Sequence, residues 1–228
     1  LNHIVVLSGS GISADSGLAT FRGSGGLWEG YNIEEVASVH GWQKDREKVL
    51  EFYNRRREQL DEVEPNSAHY ALADLERFYD VTVVTQNVDN LHERAGSSNV
   101  IHLHGLLSEA RSENDPNLVV EIGTKPIKLG DLAEDGTQLR PNVVWFGEAV
   151  PMMEKAIDMM MDADTLIVVG TSLTVYPAAS LIHYTDENIP KYLIDPSEPE
   201  VHLDSGWEHI QERAAIGLPN LTENLLNR

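Results

Sequence analysis

The chain has 228 residues, no cysteine, and 37 acidic against 17 basic side chains, a formal charge of −20 at neutral pH. Beyond conferring solubility, such a surface repels nucleic acid and anionic membranes and attracts basic peptides, and the missing thiols exclude disulfides, cysteine nucleophiles and cysteine-ligated zinc. A hydrophobic share of 41% is enough for a sizeable core; no run approaches a membrane span and no charged-then-apolar leader opens the chain, so the expected compartment is the cytoplasm.

Ile4-Val5-Val6-Leu7 reads as a buried strand that runs straight into Ser8-Gly9-Ser10-Gly11-Ile12-Ser13-Ala14-Asp15-Ser16-Gly17. An apolar strand ending in a Gly-x-Gly turn is how α/β proteins bring backbone N–H groups to a pyrophosphate. A Cβ there would hold the phosphate away. Ala14 occupies the third glycine position, a permitted variant, and a plain strand-to-helix turn is the alternative. Thr20-Phe21-Arg22-Gly23 follows, and Ser24 to about Glu64 reads as helical with no strand. Within it Val49, Tyr53, Arg56 and Leu60 share one helix face. Arg56 therefore interrupts an apolar stripe, and needs either an anion or an exit to solvent.

A helix is expected over Ser67–Phe78, then a strand Val81–Thr85 that delivers Gln86-Asn87-Val88-Asp89. Carboxyl ends of parallel strands are where α/β folds bind ligands; capping of the next turn by Asn87 or Asp89 is the alternative. The short strand Val100–Leu103 puts His102 and His104 on one face. A His at a strand end, before Gly105, suits acid–base work near neutral pH, although a His bonded to a backbone carbonyl is equally compatible. Leu107 to Gln138 reads as an irregular polar module. Strands are expected at Val143–Phe146, Thr165–Gly170 and Lys191–Ile194, leading to Gly147-Glu148, Thr171-Ser172-Leu173 and Asp195. Helices are expected at Met152–Ala163, Ala178–His183 and Leu221–Leu226. The alternation predicts an α/β chain: a Rossmann-like, doubly wound parallel sheet. Its main lobe spans 1–23, 65–106 and 140–228, and a smaller lobe is built from 24–64 and 107–139.

The ordered set GSGISADSGLATFRG, QNVD, HLHG, LRPNVVWFGE and GTSL resembles the sirtuins, NAD-dependent protein-lysine deacylases, from Ile4 to about Leu221. The resemblance implies NAD as a substrate that is consumed. The acyl-lysine oxygen attacks the nicotinamide ribose and expels nicotinamide. His104 then activates a ribose hydroxyl against the alkylimidate, and the acyl group ends on ADP-ribose. Catalytic roles fall to His104 and Asn87. Contacts to NAD fall to Gly9, Ser10, Gly11, Ile12, Asp15, Thr20, Phe21, Arg22 and Trp28, to Gln86, Asn87, Val88 and Asp89, and to Gly170, Thr171, Ser172, Asp195 and Ala214. Val144, Trp145, Phe146, Gly147 and Glu148 would bind the substrate peptide by β-addition. Tyr53-x-x-Arg56 is similar to the subgroup that accepts succinyl-lysine, a guanidinium gripping a carboxylate while a phenol adds a hydrogen bond.

Two departures stand out. The family usually carries four zinc-binding cysteines between the HG and RP motifs, whereas Leu107–Leu139 holds neither Cys nor His. No zinc or other metal is expected, and packing by Leu118, Val119, Val120, Ile122, Ile127 and Leu129 must hold the module. Asp195 stands where many members have Asn. The expected partners are acylated lysines of proteins or peptides, not nucleic acid or membrane. An ADP-ribosyltransferase or NAD hydrolase on the same site, a non-catalytic NAD- or acyl-peptide-binding module, and a dehydrogenase are the competing readings.

Overall fold

The structure is a computed structural model that describes residues 1–20, 27–28 (backbone only) and 30–227. In chain order the elements begin with β1 (His3–Ser8), α1 (Gly11–Ala14), β2 (Leu27–Trp28), β3 (Tyr31–Asn32), α2 (Ile33–Val36), α3 (Val39–Lys44) and α4 (Arg46–Gln59). They continue with α5 (Ser67–Leu75), β4 (Asp80–Thr85), α6 (Leu91–Ala95), β5 (Val100–His102), β6 (Gly105–Ser112), β7 (Val119–Glu121) and β8 (Leu139–Val143). Last come α7 (Met153–Met161), β9 (Thr165–Val169), a 3-10 helix (Ala178–Tyr184), β10 (Lys191–Ile194), β11 (Trp207–Ile210) and α8 (Ala214–Leu226).

Six strands form one parallel sheet in the order β11-β10-β9-β1-β4-β5. The chain winds outward from β1 in one direction, then restarts at β9 and winds the other way. The crevice between the ends of β1 and β9 is thus a topological switch point, where such sheets bind ligands. Strand alternation separates the two covered faces. Ile4 and Val6 join Ile167, Val169, Leu72 and Leu218 on one face. Val5 and Leu7 join Leu166, Val168, Met160 and Leu181 on the other. Asn66 starts α5 with a reciprocal capping box with His69. Inside α8, Pro219 has no N–H for the carbonyl of Ala215, and that oxygen instead accepts the Ser67 hydroxyl at 2.6 Å.

A third core cluster belongs to the smaller lobe, where Val49, Phe52 and Tyr53 of α4 pack with Leu107, Ala110, Ile127, Val143 and Trp145. Several expectations need correction here. Val143–Phe146 is not a strand of the parallel sheet: β8 ends at Val143 and pairs antiparallel with β6. Val144–Phe146 runs on to the helical insertion, with the Phe146 N–H on the Ala37 carbonyl at 2.9 Å. An apolar run declares burial, not which sheet buries it. The stretch expected to be irregular contains β6 and β7, hidden because β6 carries a register shift that spoils its alternation. The insertion expected to hold no strand carries the two-residue pairing β2–β3. Strand β11 had no expectation, and α8 begins seven residues earlier than the Leu221 start expected, since Gly217 and Pro219 mask it in the sequence.

Packing also explains less of the zinc-module equivalent than expected. Ile127 is buried, but Val119, Val120 and Leu129 are 41–47% exposed. Polar ties hold the module instead. The buried Ser112 hydroxyl donates to Asp135 at 2.6 Å, sits 2.9 Å from Thr137 Oγ1 and accepts the Asn114 and Asp115 N–H groups. Asn54 of α4 exchanges two hydrogen bonds with the Ile127 backbone, and the buried Arg57 donates to Asn54 and to the Leu107 carbonyl. Among the described residues no group of three or more His, Asp or Glu is arranged to hold a metal, and no helix is long and apolar enough to cross a membrane.

Candidate active site

At the switch point two loops meet backbone to backbone. The Gly9 N–H donates to the Val169 carbonyl at 3.0 Å, and the Gly11 N–H to the Gly170 carbonyl at 2.9 Å. A Cβ on Gly11 would stand 2.6 Å from the Gly170 Cα, and Gly170 itself has φ +65°. Both positions therefore demand glycine. Beside this cradle Asp15 pairs with Arg213 at 2.6 Å, 198 residues away at the start of α8.

Below the cradle lies a buried polar floor. The Ser13 hydroxyl donates to Asp89 at 3.0 Å and lies 3.3 Å from the Asn87 amide nitrogen and 3.5 Å from His69 Nε2. Asn87 also donates to the Gly9 carbonyl at 3.1 Å, so its side chain ties the floor to the cradle and does not cap a helix. Asp89 accepts the Leu91 N–H with its second oxygen. Burial raises its pKa, and the Leu91 and Ser13 donors only moderate the shift. His69 receives the Asn66 N–H at Nδ1, which fixes its proton on Nε2. Burial lowers its pKa to about 4. The ring of His92 stands 5.0 Å away, bonded to Ser8 and likewise kept neutral by burial.

His102 and His104 bond successive carbonyls of the strand-end run. His104 Nδ1 lies 3.0 Å from the Gln86 oxygen and His102 Nδ1 3.0 Å from the Asn87 oxygen. A carbonyl only accepts, so each Nδ1 carries a proton. Their states then diverge. His104 is pushed down by burial, which the Gln86 carbonyl only partly offsets, so its Nε2 is an unprotonated acceptor near neutral pH. His102 is buried as well, but Glu93 at 2.6 Å outweighs that penalty and raises its pKa, favouring the protonated ring. The strand-face reading therefore places both histidines correctly but leaves their roles open.

The far end of the site is built by the smaller lobe. Tyr53 is 3% exposed and accepts the Trp145 indole N–H at 3.1 Å. Burial pushes its pKa up to about 12 against the pull of Arg56 and Trp145. Arg56 stands 5.6 Å over the Phe52 ring. Glu148 is held by Arg140 through bonds of 2.7 and 3.0 Å and accepts the Trp145 backbone N–H at 2.8 Å. Burial opposes its charge, but Arg140 outweighs it and keeps the carboxylate below its usual range.

One cavity of about 580 Å3 joins these parts. Its wall includes Gly9, Ser10, Gly11, Asp15, Thr20, Gln86, Asn87, Val88, Asp89, His104, Gly170, Thr171, Ser172, Asp195 and Ala214, together with Tyr53, Arg56 and Val144 through Glu148. Ile12 is the exception. Its side chain is 1% exposed and packs in the core, one position out of phase with its glycine neighbours. Phe21 and Arg22 lie outside the described residues, as does the side chain of Trp28. The motifs assign no role to Ser13 or Arg213, and they place His102 without giving it one. Ser13 sits inside the glycine motif and was within reach, whereas the other two owe their roles to remote partners, Glu93 and Asp15.

Comparison with known proteins gives a consistent picture. A family model described as the Sir2 family matches residues 9–177. An NAD-dependent protein deacylase of Helicobacter pylori is 54% identical over 226 residues, covering 99% of this chain and 98% of that protein. A Sir2 homologue solved with NAD is 39% identical, with a TM-score of 0.88 over 99% of this chain and 90% of the other. A Sir2 variant solved with a deacetylated p53 peptide and 3′-O-acetyl-ADP-ribose is 28% identical, with a TM-score of 0.76 over 98% and 92%.

Proposed function

The chain belongs to the Sir2 family, and on that premise we propose that it is an NAD-dependent protein-lysine deacylase whose acyl pocket also accepts short chains ending in a carboxylate. The observation that carries this reading is the single cavity joining the glycine cradle, the neutral His104 and the Tyr53–Arg56 pair. The residues present fit NAD: the glycine loops, packed so closely that a Cβ on Gly11 would strike the Gly170 backbone, line the cavity with Ser10, Thr171 and Ser172. Asp195 stands at the end of β10, a position suited to ribose hydroxyls. Bound there, NAD supplies the ADP-ribose that takes the acyl group, with loss of nicotinamide and uptake of one water.

The chain's own residues do the rest. His104 Nε2 accepts the proton of a ribose hydroxyl, and the Gln86 carbonyl keeps the ring in the tautomer that can do so. Asn87 and Asp89, held by Ser13, orient the nicotinamide end. The Val144–Glu148 segment lines the cavity and meets the substrate peptide, while Glu148, bonded to Arg140 and the Trp145 N–H, holds that segment in shape. Arg56 meets an acyl carboxylate, a charge-assisted contact unavailable to acetyl.

The deciding experiment is mass spectrometry of products from NAD with matched acetyl- and succinyl-lysine peptides, for the wild type and Arg56→Met. The expected products are free lysine peptide, nicotinamide and O-acyl-ADP-ribose, with Arg56→Met losing at least about tenfold more on succinyl, the scale of one charged hydrogen bond. Nicotinamide release without acyl peptide, or ADP-ribosylated peptide, overturns the deacylase reading. Equal losses on both acyl groups overturn the carboxylate grip.

A further inference from the structure

We propose that Trp145 is a specificity-positioning residue, whose indole N–H turns the Tyr53 hydroxyl into an obligate donor aimed at acyl chains that end in a hydrogen-bond acceptor. This rests on the acyl-pocket reading above. An indole N–H can only donate, so the 3.1 Å contact makes the Tyr53 oxygen the acceptor. The phenolic proton prefers the ring plane and has two positions there. With the indole N–H donating to the oxygen, that proton turns away from Trp145. Among the described residues the Tyr53 hydroxyl has no acceptor of its own, and both Tyr53 and Arg56 line the cavity. Burial keeps the phenol protonated well beyond neutral pH, so the donor is not lost by ionisation.

The indole is itself locked. Trp145 is 2% exposed, with the Trp42 ring 5.6 Å away and the Arg140 guanidinium 3.4 Å above its own ring. Arg140 is fixed by Glu148, which also binds the Trp145 backbone N–H. Rotating the indole away would break the ring stack and expose a buried donor. Trp145 thus belongs at once to the segment that meets the peptide and to the wall of the acyl pocket. Arg56 asks for an anion, whereas the oriented Tyr53 asks only for an acceptor. The pocket then has two separable preferences, and a neutral chain ending in an amide offers the acceptor without the charge.

The test uses one peptide carrying succinyl, succinamoyl or 4-methylpentanoyl lysine, which are near-isosteric, so effects on peptide docking cancel in their ratios. Trp145→Phe keeps an aromatic ring and removes the donor. The succinamoyl to 4-methylpentanoyl ratio of kcat/KM should fall about three- to tenfold, the scale of one neutral hydrogen bond. Tyr53→Phe should lower it equally, and the double variant no further. Proportional losses on all three acyl groups, or a Trp145→Phe effect that persists with Phe at position 53, overturn the proposal. A wild type that rejects succinyl but prefers succinamoyl to 4-methylpentanoyl sinks the carboxylate grip and supports the Tyr53 donor, and a fall of that preference in Trp145→Phe then upholds the role of Trp145. Equal use of those two neutral groups by the wild type sinks the Trp145 role alone.

Discussion

The glycine cradle and the floor beneath His104 share one cavity, yet one is made of backbone and the other of buried side chains. In the cradle, Gly11 and Gly170 meet main chain to main chain, so closely that neither could carry a side chain. In the floor, Ser13, His69, Asn87, Asp89 and His92 are each at most 7% exposed and bond largely to one another. A backbone surface is insensitive to pH and intolerant of added volume. A buried polar network tolerates small changes of volume but answers to protons. The two regions should therefore fail in different ways.

The largest effect belongs to the cradle. In Gly11→Ala the new methyl meets backbone at Gly170, which cannot swing aside as a side chain would. Overpacking of this kind costs about 1–3 kcal/mol, here taken from the geometry that receives the dinucleotide. NAD affinity by calorimetry should fall about 10- to 100-fold, with little dependence on pH between 6 and 8. Unchanged affinity would mean that the cradle is not where NAD sits.

The same contrast explains what the sequence made legible. Ile4–Leu7 and the glycines after it are readable because strand alternation and the absence of a Cβ are local properties. So is the pairing of Tyr53 with Arg56, four residues of one helix turn. The role of His102 is not local. His102 and His104 look alike on one strand face, yet Glu93, brought up by α6, raises the pKa of the first, while burial without such a partner lowers that of the second. Val143–Phe146 shows the matching limit for the fold, since Val143 and Trp145 pack in the smaller lobe's core instead of under the parallel sheet, and Phe146 is exposed. The exposed Val119, Val120 and Leu129 show that apolar content alone does not name the core, when Ser112 and Arg57 carry the ties.

The floor supplies the next effect, and its sign follows from the direction of the shifts. His69 and His92 have folded pKa values below the unfolded value near 6.5, so their contribution is present above pH 6.5 and lost as pH falls toward the folded value, about 4 for His69. For His69 alone this amounts to about 2 kcal/mol by pH 5. Asp89, shifted up, pulls the opposite way, because the folded state takes its proton more readily. Its contribution cancels when wild type and His69→Gln are compared at each pH. Thermal melts from pH 7.5 to 5 should show a steeper decline for the wild type than for His69→Gln. Parallel curves would show that His69 does not titrate with unfolding.

The smallest effect sharpens the cradle's backbone character. Arg213 is 62% exposed and its partner Asp15 23%, so their ion pair at 2.6 Å is a surface contact despite linking chain segments 198 residues apart. Exposed pairs of this kind are worth about 0–1 kcal/mol and are screened by salt. Arg213→Ala should weaken NAD by no more than about fivefold in dilute buffer, and the difference should vanish near 0.5 M salt, where the Debye length is about 4 Å. Gly11→Ala should keep its full deficit under the same salt, because a steric clash is not screened. A large, salt-resistant loss in Arg213→Ala would instead make Arg213 a direct nucleotide contact, and the cradle would then owe part of its grip to a side chain.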